Sequence, residues 1–106
     1  MDWLFYSNRE AWYITYAIPN GGHRHIAVAA KMKKEGVKPG IPDIHMPIPN
    51  KSFHGLYIEF KVHPNKCTAS QKLMIDRLLN NGYQVAICYT LEDAIKITQE
   101  YLNDPI

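Results

Sequence analysis

Long apolar runs are missing from this 106-residue chain. No stretch approaches the roughly 20 consecutive apolar residues that a helix needs to span a bilayer. The N-terminus also lacks the charged start, apolar run and small-residue cleavage site of a secretory leader. The expectation is a soluble, cytoplasmic protein that is not secreted and has no membrane partner. Repeats, low-complexity tracts and linkers are missing too, so residues 1–106 read as one domain, long enough to bury a single core. Cysteine is scarce, with only Cys67 and Cys88. They lie in segments of different character, and a disulfide is not expected in a reducing compartment. Cys88 falls in an apolar strand pattern and reads as a core residue. His23, His25, His54 and His63 with Cys67 offer no pair at a usual zinc-ligand spacing. Net charge is small, +2, so the whole molecule is no polycation. Its basic residues are uneven, however: Arg24, Lys31, Lys33, Lys34 and Lys38 crowd together. Such a run is a solvated helix face, or a phosphate-binding surface if chemistry on nucleic acid occurs nearby.

What is present is a sequence of α/β character. Trp12 to Ile18 is aromatic and β-branched and reads as a strand, stopped by Pro19-Asn20-Gly21-Gly22. His25 to Glu35 reads as a helix with Gly36 as its stop. Lys38 to Pro42 is a turn-rich approach to a short strand, Asp43 to Met46, and Pro47 to His54 is a polar loop. Gly55 to Val62 is the clearest strand: alternation puts Leu56, Ile58, Phe60 and Val62 on one face, and Tyr57, Glu59 and Lys61 on the other. Thr68 and Gln71 have the capping-box spacing that starts a helix running to Asn81, with Met74, Ile75, Leu78 and Leu79 as its buried stripe. Tyr83 to Tyr89 is nearly continuously apolar, as expected of a strand covered on both faces. Thr90 then caps a last helix from Leu91 to about Leu102. The order predicts a mixed four-stranded sheet flanked by helices.

The informative unit is Pro42-Asp43 followed by Glu59-Phe60-Lys61. Adjacent strands can bring Asp43 and Glu59 together, and carboxylate oxygens suit a hard cation such as Mg²⁺ or Mn²⁺. Period-2 geometry places Lys61 on the face of Glu59, where an ammonium can orient an attacking water and stabilise charge on a scissile phosphate. The backbone carbonyl of Phe60, between them, is a further candidate metal ligand. Taken alone, an acid and a lysine two apart on a strand are an ordinary polar face, and Asp after Pro is an ordinary turn residue. His45 shares the face of Asp43 if its strand is regular, near the site without being a ligand.

The pieces Ile18 to Gly22, Gly36 to Asp43, Gly55 to Lys61, Ser70-Gln71-Lys72 and Gly82-Tyr83 stand in an order that resembles the VRR-NUC family. These are virus-type replication-repair nucleases of the PD-(D/E)xK superfamily. The resemblance runs from Tyr16 to Leu102. It implies a restriction-endonuclease-like fold in which Asp43 and Glu59 hold the metal and Lys61 serves the attacking water. Gln71 matches a glutamine at the start of the helix after the catalytic strand; it can equally be only the cap partner of Thr68. Asn20, Gly21 and Gly22 match the family's turn and can let backbone approach DNA, although a tight turn alone explains them. Arg24, Lys66 and Lys72 are candidates to hold phosphates, with surface solvation as the plainer alternative. Stand-alone members are generally dimeric and some cleave four-way junctions, so a homodimer acting on junction or flap DNA is expected, in a bacterial or phage-infected cell. The aromatic-rich Trp3, Leu4, Phe5, Tyr6, Trp12 and Tyr13 exceed what one small core obviously needs, which also suits a dimer. The family's further glutamate, on a helix before the first strand, has no evident counterpart: Glu10 reads as a solvated turn residue and Asp2 as part of a frayed end. The chain is therefore expected to be truncated or naturally abbreviated, lacking the family's N-terminal helix. Two rivals stand beside the nuclease: a catalytically inactive nuclease-fold DNA-binding or assembly module, and a small nucleic-acid-binding protein that uses its basic helix and merely resembles a nuclease.

Overall fold

The computed structural model describes residues 1–19, 30–31 and 33–106. Its sheet has the order β1 (Tyr16–Ala17), β2 (Ile44–Met46), β3 (Leu56–Phe60), β4 (Gln84–Cys88). The first two pairings are antiparallel and β3–β4 is parallel. Helices α1 (Asp2–Ser7) and α2 (Arg9–Ile14) precede the sheet, α3 (Ala69–Asn80) forms the crossover that a parallel pair requires, and α4 (Leu91–Leu102) follows β4. Residues 30–31 and 33–34 are also helical, and Gly36, at φ +100°, follows them as the expected stop. The rest of the helix expected from His25 lies outside the described residues.

β3 alternates as its sequence predicts. Leu56 and Ile58 join Leu4, Met46, Cys88, Ala94 and Tyr101 in the core. Tyr57 and Glu59 point the other way and are nonetheless buried. Both capping boxes form: Thr68 accepts from the Gln71 N–H and Thr90 from the Asp93 N–H, each with the reciprocal bond to the cap residue's own N–H.

Three expectations need correction. Residues 12–14 are helical, so the strand expected from Trp12 shrinks to Tyr16–Ala17. The Asn8 side chain accepts from the Ala11 N–H at 3.0 Å and starts α2. Leu4, Ala11 and Thr15 are then buried at helical spacing, while Trp3 and Trp12 pack against the core. Cap and packing override the β propensity of the aromatic side chains. A helix upstream of the first strand is thus present. Asp2 begins α1, and Glu10 is an exposed first-turn residue of α2 rather than a turn residue. Second, α3 has no fully buried residue: Met74, Ile75 and Leu78 are half-buried and Leu79 is exposed. It lies against β4, at the rim of the sheet, which leaves part of its apolar stripe uncovered. Third, β4 is an edge strand and not one covered on both sides, with Gln84 to Ala86 half-buried and Ile87 exposed.

Candidate active site

The turn before β2 is fixed by two small features. Pro42 is fully buried. Gly40, at φ +79°, lies so close to α3 that a Cβ there would meet the Ser70 carbonyl oxygen at 2.5 Å. A glycine is therefore required both by the left-handed backbone and by the approach. The Pro-Asp turn and the first turn of α3 are pressed together as a result. Ile44 pairs with Ile58, yet the Asp43 N–H also donates to the Ile58 carbonyl, at 3.0 Å. Two residues opposite one is the arrangement of a β-bulge, which re-aims a side chain. The Asp43 carboxylate here turns across to β3, where Oδ2 accepts from the Phe60 N–H at 2.9 Å.

Glu59 sits beside it, only 4% exposed. Burial, then the nearby Asp43 charge and a hydrogen bond with it, push the Glu59 carboxyl up from 4.5 to about 7, against the opposing pull of Lys61. Gln71 ties the remaining groups together. Its Oε1 accepts from Lys61 Nζ at 2.6 Å and from the Thr68 N–H at 2.8 Å, while its Nε2 donates to Glu59 Oε2 at 3.3 Å. The cap and the site are not alternatives for this side chain. One amide serves both, because its oxygen has two lone pairs and its nitrogen is still free to donate. The structure thus brings Asp43, Glu59, Lys61 and Gln71 into one connected cluster.

The donor set suits a hard divalent cation. Two carboxylates are crowded, and burial together with the neighbouring Asp43 charge raises the pKa of Glu59. The Asp43 and Phe60 N–H bonds show that residues 58 and 60 turn their backbone polar groups toward β2. In a pleated strand a residue's carbonyl shares the side of its N–H, so the Phe60 carbonyl faces the Asp43 side. Among the described residues no three His, Cys, Asp or Glu side chains group for a metal. Oxygen ligands beyond Asp43 and Glu59 would be backbone and water, which Mg²⁺ tolerates because it keeps several waters.

Lys66 and Lys72 are exposed, one in the loop before α3 and the other in its first turn. Asn20, Gly21, Gly22 and Arg24, like His23 and His25, lie outside the described residues. Sequence reasoning missed an aromatic layer next to the carboxylates. His45 stacks on Tyr57 with centroids 4.1 Å apart, and its Nδ1 bonds the Tyr16 hydroxyl at 2.7 Å. Burial lowers the pKa of His45. The β2–β3 register places His45 opposite Tyr57, a pairing that no local motif encodes. His63 and Tyr89 form a second stack, beyond the ends of β3 and β4.

Comparison with known proteins bears on the fold and the family. A search of curated proteins finds no match. A solved structure described as a VRR_NUC domain protein is similar at TM-score 0.77 and 29% identity, covering 90% of this chain and 72% of that one. The family model of the VRR-NUC domain matches residues 5–91. With a matching model over most of its length and a matching mixed sheet, the chain belongs to the VRR-NUC domain family.

Proposed function

We propose that the protein is a Mg²⁺- or Mn²⁺-dependent deoxyribonuclease that hydrolyses phosphodiester bonds. We propose further that it acts on branched or junction DNA in replication, repair or recombination, as a homodimer. The observation that carries the reading is the buried Glu59 beside Asp43, joined to Lys61 through Gln71. In this reading Asp43, Glu59 and the Phe60 carbonyl hold the cation, which supplies charge to polarise the phosphate and acidify water. Lys61 orients the attacking water and places positive charge where the phosphorane oxygens become more negative. Gln71 accepts from Lys61 and donates to Glu59, so it holds acid and base at a fixed separation. Lys66 in the loop before α3 and Lys72 in its first turn, with Arg24, Asn20, Gly21 and Gly22, hold the phosphate backbone. The branched substrate and the dimer rest on the family. The test is a panel of labelled linear, flap and four-way-junction DNAs with Mg²⁺, Mn²⁺ or EDTA. Cleavage is expected with either metal and on a branched DNA in preference to linear duplex. Undiminished cleavage in excess EDTA would overturn the mechanism.

A further inference from the structure

We infer that His63, stacked on Tyr89, is a platform on which the protein holds an unpaired nucleobase of its DNA beside the cleaved phosphate. The inference rests on the nuclease reading and adds the substrate feature that the site recognises. The two rings lie 4.1 Å apart and within 15° of parallel. Tyr89 is fixed at both ends: its hydroxyl donates to the Asn65 carbonyl at 3.3 Å and its N–H to the Asp93 carboxylate at 3.1 Å. His63 itself is exposed. One face of its ring is covered by Tyr89, which leaves the outer face for a ligand.

The position is what gives the stack a use. Glu59 pairs with Ile87, and the Lys61 N–H donates to the Cys88 carbonyl, so the β3–β4 ladder runs on to the level of Lys61 and Tyr89. Two residues along a strand cover about 7 Å. That offset leads from the level of Glu59 to that of Lys61 and Tyr89, and His63 follows two residues further, within a few nucleotide steps of the carboxylates. Lys61 precedes the platform, and exposed Lys66 follows it in the same loop. An aromatic ring with a neighbouring cation is the usual means of holding an unpaired base without reading its sequence. A base inside a duplex has both faces covered by its neighbours and cannot use the platform. The geometry therefore selects DNA with unpaired nucleotides next to the cleavage point.

Binding without metal separates this inference from cleavage. Fluorescence anisotropy in EDTA would compare a labelled single strand with a blunt duplex of equal length. His63→Ala is expected to weaken single-strand binding about ten-fold, the scale of one base–aromatic stack, and to leave duplex binding unchanged. His63→Phe should bind as wild type. His63→Leu, which keeps an apolar contact with Tyr89 but has no aromatic face, should fail like His63→Ala even if the alanine variant is less stable. Wild-type single-strand binding in His63→Ala and His63→Leu, or equal loss on both DNAs, would overturn the platform. If the wild type cleaves DNA but these variants bind normally, only this inference fails; if the platform behaves as expected but no metal supports cleavage, the nuclease reading fails.

Discussion

Under the proposed function, Glu59 is the residue on which chemistry and stability meet. Its carboxyl is raised from 4.5 to about 7 by burial and by Asp43. A carboxyl raised in the folded state binds protons that the unfolded chain has already released. The corresponding stability is fully present below pH 4.5 and is lost as pH rises through about 7. The full loss is about 3 kcal/mol at most. The metal-free protein should therefore melt at a higher temperature at pH 5 than at pH 8. Glu59→Gln should flatten that profile and exceed wild type at pH 8, because an amide needs no proton to be neutral. Parallel profiles for the two proteins would contradict this account of the site. Gln71 gives a second test at the same scale. Gln71→Ala frees Lys61 and leaves the Thr68 N–H without its partner, so we expect cleavage to fall about 10- to 100-fold, as when partners of metal ligands are removed. The helix start should weaken by about 1 kcal/mol. Normal kcat with only a stability loss would reduce Gln71 to a cap.

At the scale of elements, two glycines with positive φ make a controlled pair. Gly40 and Gly36 both occupy the left-handed region, but an added Cβ meets the Ser70 backbone at Gly40 and nothing within 4 Å at Gly36. Gly36→Ala should cost about 1 kcal/mol, from backbone strain alone. Gly40→Ala should cost more and should also impair cleavage, because it pushes Asp43 away from the α3 end. Urea melts and activity on both variants check this; equal costs would mean that the Gly40 approach is not important. The same contrast explains what was legible in sequence. β3, its two faces and the capping boxes of α3 and α4 follow from neighbours in the chain, whereas Asp43, Glu59, Lys61 and Gln71 stood out as candidates through the ordered resemblance to a nuclease family. α2 did not, because the aromatic content of Trp12 to Tyr16 outweighed the one local sign of a helix, Asn8 three residues before Ala11. The half-covered α3 and β4 depend on β4 ending the sheet, and the His45–Tyr57 and His63–Tyr89 stacks on strand register. These are long-range properties that no window of sequence contains.

At the scale of the whole molecule, the N-terminal aromatics divide in two. Trp3 and Trp12 pack against the core, whereas Tyr6 and Tyr13 are 83% and 65% exposed. Under the proposed function the described residues carry one candidate site, and symmetric cleavage of both strands of a junction needs two sites related by a two-fold axis. Sedimentation at micromolar concentration should give a dimer, and Tyr6→Ser with Tyr13→Ser should shift it toward monomer if these side chains lie in the interface. A monomer both with and without DNA would count against the dimer. The central claim is tested most directly by cleavage of a labelled four-way junction, with Mg²⁺ and Mn²⁺ titrated separately, by wild type, Asp43→Asn and Glu59→Gln. The account predicts metal-dependent cleavage by the wild type, better supported by Mn²⁺ because no more than two carboxylates group among the described residues. It predicts no cleavage by either variant at unchanged far-UV circular dichroism. Full cleavage by either variant, or a wild type that cuts equally well in EDTA, would contradict it.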